Sequence, residues 1–180
     1  MCIRDSTRRK NLLLRDLDEL VNQQLAKMLF ANPQRIDYYD RYQEIIDAYN
    51  AEQNRATIEK TFMDLMELAS SLDTEQQRYV REGFSSDEEL SVYDLLFSEN
   101  LTKQEIETIK KVSVDLLTKI KQQIAKLDHW TDKQETKAIV DNLIRKTLWQ
   151  ELPNSYDVSD IQTYQKKIYE YVYMRYPEVA

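Results

Sequence analysis

The chain has 180 residues, enough for one domain or a compact pair of helical subdomains around a buried core. Hydrophobic residues at 42% and charged residues at 32% exclude disorder, and one glycine with three prolines excludes a fold of tight hairpins. The net charge of −7 excludes an autonomous, uniformly basic nucleic-acid binder.

Met1 to Ser6 (Met-Cys-Ile-Arg-Asp-Ser) resemble a translated adaptor scar, so residues 1–6 are expected to be non-native and the native N-terminus to lie upstream. From Thr7 the apolar stripes have helical spacing. Leu13, Leu17, Leu20, Val21, Met28 and Leu29 predict a first helix, stopped by Pro33, which pushes Asn32 out of the α region. Tyr42, Ile45, Ile46 and Tyr49 predict a second, and Ile58, Phe62, Leu65, Met66 and Ala69 a third. A short fourth helix over 75–82 ends at Gly83, where a left-handed residue belongs. Leu90, Tyr93, Leu96 and Phe97 stripe the fifth. Ile106, Ile109, Leu116, Leu117, Ile120, Ile124 and Leu127 stripe a long sixth. Ile139, Val140, Leu143, Ile144 and Leu148 mark the seventh, ended near Pro153; Ile161, Tyr164, Ile168, Val172 and Tyr176 mark the last, closed by Pro177.

Helix starts carry capping-box spacings, in which a Ser or Thr hydroxyl accepts from the amide three residues on and a Glu or Gln there reaches back. Thr74 with Gln77, Ser86 with Glu89, Thr102 with Glu105, Thr131 with Gln134, and Ser159 with Gln162 all fit. The fold class expected is all-α, an irregular bundle of about eight helices in two small lobes. The expected lobes are 7–99, acidic in its second half, and 100–180. The boundary is placed near 98–102 because residues 52–99 hold 12 acidic against 4 basic residues and the next helix turns basic.

Residues able to carry chemistry are few. A P-loop or dinucleotide fold needs several glycines, and hydrolytic triads and zinc sites need His or Cys in number, yet Gly83, His129 and Cys2 are each alone of their kind. One cysteine allows no disulfide framework, and no apolar run reaches the roughly 18 residues of a membrane span, so a cytoplasmic protein without membrane association is expected. Glu135-Thr136-Lys137, with Asp128 and Asp132 upstream, mimics the acid-x-Lys spacing of metal-dependent nucleases. It opens a helical stripe, however, and residues two apart on a helix diverge. No catalytic, cofactor-binding or metal-binding residue is assigned.

Two other features stand out. Basic residues cluster over 1–15 (Arg4, Arg8, Arg9, Lys10, Arg15) and over 102–126. In the second cluster Lys103, Lys110, Lys111, Lys119 and Lys121 are candidate contacts to a DNA backbone. Twelve tyrosines concentrate at 38–49 and 156–176, and a helix aromatic on several sides is either buried in its bundle or docked on a partner. Tyr93, Trp130, Tyr169, Tyr173 and Tyr176 are the candidate partner-facing anchors.

From Tyr42 onward an ordered set of short motifs appears. It runs Ile45-Ile46, Tyr49-Asn50, Thr57-Ile58-Glu59 with Phe62 and Leu65, and Arg81-Glu82-Gly83 before an apolar residue. Glu89-Leu90, Tyr93-Asp94-Leu95-Leu96, Leu101-Thr102, Leu116-Leu117, Asp128-His129-Trp130, Leu152-Pro153, Tyr156 and the tyrosine-rich tail follow. Together they resemble the C-terminal helical region of the type I restriction-modification R subunit. Phe84 stands where leucine is expected after Arg-Glu-Gly, and His129 interrupts an Asp-Trp pair.

The resemblance implies a modular parent joining a nuclease domain and two RecA-like motor domains to this helical part, and using ATP and magnesium outside this chain. It implies a non-catalytic fragment that docks the motor-nuclease subunit on the methyltransferase and specificity subunits, with DNA contact at most indirect. Two alternatives stand beside it: a DNA-tracking surface built on Lys103, Lys110, Lys111, Lys119 and Lys121, and an unrelated, self-standing helical interaction protein.

Overall fold

The computed structural model describes the backbone of residues 3–178 and the side chains of residues 8–178. Met1, Cys2 and the side chain of Arg4 lie outside that description, and of the expected non-native stretch only the backbone from Ile3 is described. Eight α-helices and no strand occur among the described residues. They are α1 (Ile3–Ala31), α2 (Ile36–Ala51), α3 (Arg55–Gln76), α4 (Arg78–Arg81), α5 (Asp87–Leu96), α6 (Lys103–Ile124), α7 (Gln134–Glu151) and α8 (Val158–Arg175). The all-α expectation holds.

The chain forms two compact units, residues 1–81 and 82–180. That division falls earlier than the one drawn near 98–102. The physical reason is that α5 packs against α6 and α8, so the acidic segment belongs with the basic helix that follows it. Glu82 accepts from Lys110 at 3.0 Å and Glu88 pairs with Lys121. The change of charge sign that suggested a boundary is complementary pairing inside one unit.

The first unit is a three-helix bundle. Lys10 pairs with Glu59 at 2.8 Å and the Gln24 amide donates to Asp73 at 2.8 Å, so α1 and α3 run parallel with a constant offset. α2 returns antiparallel to them and packs mainly on α3, Arg41 meeting Glu67 and Arg35 meeting Glu75. The turn into α2 is set by Asn32, extended as the residue before Pro33 must be, whose side chain accepts from the Gln34 amide. Asn54 caps α3 by accepting from the Thr57 amide at 2.9 Å. The core is Leu14, Val21, Leu25 and Met28 of α1 against Tyr42 and Ile45 of α2 and Ile58, Leu65, Leu68 and Leu72 of α3. At one end Glu75 is buried, accepts from Arg35 at 3.0 Å and is ion-paired with Arg78 at 2.9 Å.

The second unit is a ring in which α5 packs on α6, α6 on α7, α7 on α8, and α8 on α5. Its core is built from the buried stripe Ile109, Leu116, Ile120 and Ile124 of α6 together with buried Leu90 and Leu96 of α5, Val140, Ile144 and Leu148 of α7, and Ile168 and Val172 of α8. The loop before α8 is pinned by Tyr156, whose hydroxyl donates to the Leu96 carbonyl at 2.7 Å. Buried Ser91 and Ser113 donate to carbonyls one turn back, so neither hydroxyl lacks an acceptor.

The caps divide. Thr102 and Glu105 form the complete box expected of them. Ser86 caps α5, but the Glu89 carboxylate reaches the Ser85 amide instead of closing the box. Thr74 lies inside α3 and donates to the Ser70 carbonyl, since α3 runs on to Gln76 and leaves α4 as a single turn ahead of Gly83 at φ +84. α7 begins at Lys133 without a side-chain cap, and α8 is boxed by Asp157 and Asp160 in place of Ser159 and Gln162. Spacing alone cannot separate an N-cap from a Ser or Thr a residue or two inside the helix.

Candidate functional site

Of the aromatic residues singled out as partner anchors, Trp130, Tyr169, Tyr173 and Tyr176 come together in the second unit, and Tyr93 packs with Phe84 and Phe97. Trp130, 1% exposed, follows His129, whose positive φ of 45 turns the chain sharply after α6. The Trp130 indole donates to the Tyr176 carbonyl at 2.7 Å, and its ring meets Tyr173 and Tyr169 edge-on at 5.7 and 6.2 Å. Tyr93 is buried against Phe84 at 5.4 Å, and Tyr176 against Tyr171 at 6.2 Å. Burial pushes the Tyr156, Tyr171 and Tyr176 hydroxyls above their ordinary range. Tyr93, Trp130 and Tyr176 therefore close the fold and are not surface anchors, a correction to the sequence reading. Tyr169 is half-buried, and only Tyr173, at 39%, presents substantial surface.

The lysines are similarly divided. Lys110 pairs with Glu82 and lies over the Phe84 and Tyr93 rings at 6.0 and 5.9 Å. Lys119 bridges Asp115 and Glu151, which raises its pKa through the Asp115 hydrogen bond first and the Glu151 bond second. Lys121 pairs with Glu88 and sits over the Tyr176 ring at 5.3 Å. Three of the five candidate phosphate contacts thus hold α6 to its neighbours, and Lys103 and Lys111 alone point to solvent.

The acid-x-Lys string lies in the first turn of α7, where Thr136 donates to the Trp130 carbonyl at 2.7 Å and Lys137 lies over the Tyr173 ring at 5.8 Å. His129 meets Glu178 through Nδ1 at 3.1 Å on the surface. Among the described residues no three His, Cys, Asp or Glu side chains come together as a metal site would require. No described helix is long and apolar enough to cross a membrane.

Two surfaces escaped the sequence reading. In the first unit a groove of about 410 Å³ runs between α1 and α3, lined by Leu13, Ile58, Phe62 and Met63 with Lys10 and Glu59 at its mouth. Leu20 and Met66 continue its two rows, two turns and one turn along respectively, and are exposed, as are Leu13, Phe62 and Met63, the last at 71%. Leu13, Leu20, Phe62 and Met66 belong to the helical stripes of the sequence. The structure places the core one step round, at Leu14, Leu25, Leu68 and Leu72, and leaves these four outside. In the second unit α7 turns Val140, Ile144 and Leu148 inward but leaves Ile139 42% and Trp149 49% exposed. A helix with apolar residues on two faces was the available signal in both places.

By fold the chain is an all-α domain of two small bundles whose distinctive features are a buried aromatic cluster and apolar faces left open. Residues 3–176 match the family described as type I restriction enzyme HindI endonuclease subunit-like, C-terminal, and the chain belongs to that family. No curated protein matches it, and no solved structure does. The resemblance carried by the ordered motifs from Tyr42 onward is thereby established and reaches back through the first helix.

Proposed function

We propose that this chain is the docking element that seats the endonuclease subunit of a type I restriction enzyme on its methyltransferase and specificity subunits, and that it supplies no catalytic group. The observation that carries the reading is the open α1–α3 face of Leu13, Leu20, Phe62, Met63 and Met66. A contiguous exposed apolar surface with charged residues at its margin is the signature of an interaction site, and methionine adapts its shape to a partner. The family's description as an endonuclease subunit supports the reading, since a subunit works in an assembly. In this reading the ATP- and magnesium-dependent steps belong to other parts of the parent subunit, and the complex works in the cytoplasm.

Direct tracking of DNA by α6 is the weaker reading, because Lys110, Lys119 and Lys121 are engaged in ion pairs within the unit. Co-purification with a cognate methyltransferase–specificity complex tests the proposal. The wild-type chain is expected to be retained and a Leu13→Asp/Met66→Asp variant to be lost while keeping its helical circular dichroism. A folded wild-type chain that is not retained overturns the proposal.

A further inference from the structure

The outward face of α7 carries a second stripe. Ile139, Asn142, Lys146 and Trp149 recur at i, i+3, i+7 and i+10, the spacing with which one helix meets another lengthwise, and all four are exposed. The stripe is separate from the packed side of the same helix, where Val140, Ile144 and Leu148 are fully buried. Trp149 is half-exposed where Trp130, the other tryptophan, is enclosed.

Charge sets the kind of occupant. Arg145 and Lys146 flank Trp149; among the described residues Arg145 donates to the Asn142 side chain at 2.9 Å and no carboxylate pairs with either cation. The acids nearest in sequence are engaged elsewhere, Asp141 accepting from Gln165 at 2.9 Å and Glu151 from Lys119 at 2.6 Å. The contrast with α6, whose lysines at 110, 119 and 121 all have carboxylates within the unit, is direct. An exposed tryptophan beside two uncompensated cations matches the composition of binding hot spots. It is complementary to an acidic surface with an apolar pocket. Phosphate would satisfy the two cations equally well. Ile139 extends the stripe as an apolar knob with nothing to offer a phosphate backbone, which favours protein over nucleic acid.

We infer that the α7 stripe is a docking site for an acidic amphipathic helix of the methyltransferase–specificity core, with Trp149 as its anchor and Arg145 and Lys146 selecting the partner's charge. The inference rests on the docking reading above and adds a second, charge-selective contact to it.

The test is a titration of the full chain into the cognate methyltransferase–specificity complex at low and high salt, with Trp149→Ala and Arg145→Glu/Lys146→Glu variants whose helicity is verified. Loss of the anchor is expected to weaken binding about thirty-fold, as for a hot-spot residue. Reversing the two charges is expected to weaken it strongly at low salt and much less at high salt. If both variants bind like the wild type while Leu13→Asp/Met66→Asp does not, the α7 inference is overturned and the docking reading stands. If the wild-type chain itself does not bind, both are overturned. Unchanged affinity for the complex, with loss of salt-dependent binding to a short DNA duplex, would identify a nucleic-acid occupant and overturn the inference as stated.

Discussion

Trp130 contributes to the second unit through both a buried ring and a hydrogen bond, and the two contributions separate experimentally. Trp130→Ala removes a ring that is 1% exposed and contacts Tyr169 and Tyr173 edge-on. A large-to-small change of this kind costs about 3–5 kcal/mol. It also leaves the Tyr176 carbonyl without the indole donor that now lies 2.7 Å away, a further loss of about 1–3 kcal/mol for a buried group. Trp130→Phe keeps most of the ring and loses mainly the donor, so about 1–3 kcal/mol is expected. Against a domain stability of about 5–15 kcal/mol, the alanine variant should lose a large share of its stability and the phenylalanine variant be only weakened. Urea unfolding followed by far-UV circular dichroism ranks the two by midpoint, with the slope testing whether the unfolded state changed. Equal midpoints for Trp130→Phe and wild type would refute the structural role of the hydrogen bond. Equal losses for the two variants would refute the role of ring burial.

Glu75→Gln removes the charge that Arg35 and Arg78 share at 3.0 and 2.9 Å, and should destabilise the first unit by about 3 kcal/mol. A Glu75→Leu/Arg35→Met pair should recover much of that loss in chemical denaturation. Tyr42 is held protonated by burial and by donating to Asp18 at 2.7 Å, which pushes its pKa up to about 12. The unfolded chain loses this proton near pH 10, so stability should fall as pH rises between about 10 and 12, and Tyr42→Phe should flatten that slope in thermal melts. Glu105 has its pKa lowered chiefly by the Thr102 amide, then by Ser155 and the Thr102 hydroxyl. Its contribution is present above its unfolded pKa and lost as pH falls through the lower folded value, so Glu105→Gln should destabilise at neutral pH and be nearly silent in strong acid. Gly83→Ala meets no atom within 4 Å of the added Cβ, so the cost of about 1–2 kcal/mol read by urea midpoint is backbone strain at φ +84 alone.

Helix periodicity made the fold class legible, since Leu65, Leu90, Ile109, Ile144 and Ile168 all turn inward as their spacing requires. Periodicity did not distinguish two adjacent apolar faces. On α1 the residues Leu13, Leu14, Leu17, Leu20 and Val21 satisfy either of two stripes, and only packing against α2 and α3 selects Leu14 and Val21. Charge misled in a different way. The acidic run up to Glu99 and the basic helix after it read as two lobes, whereas opposite charges that are close in sequence can be partners in one bundle, as Glu82 with Lys110 and Glu88 with Lys121 are. The aromatic cluster was visible as composition, but its inward orientation depends on the His129 turn, which a sequence with one glycine does not announce. The ordered motifs identified the family where no isolated residue could.

Competition for the methyltransferase core tests the central claim most directly. The isolated chain, added in increasing amounts to a reconstituted type I restriction complex, should displace the full endonuclease subunit. It should suppress DNA cleavage and DNA-dependent ATP hydrolysis while leaving methylation intact, and Leu13→Asp/Met66→Asp should abolish the effect. Cleavage that persists undiminished under a large excess of folded wild-type chain would contradict the account.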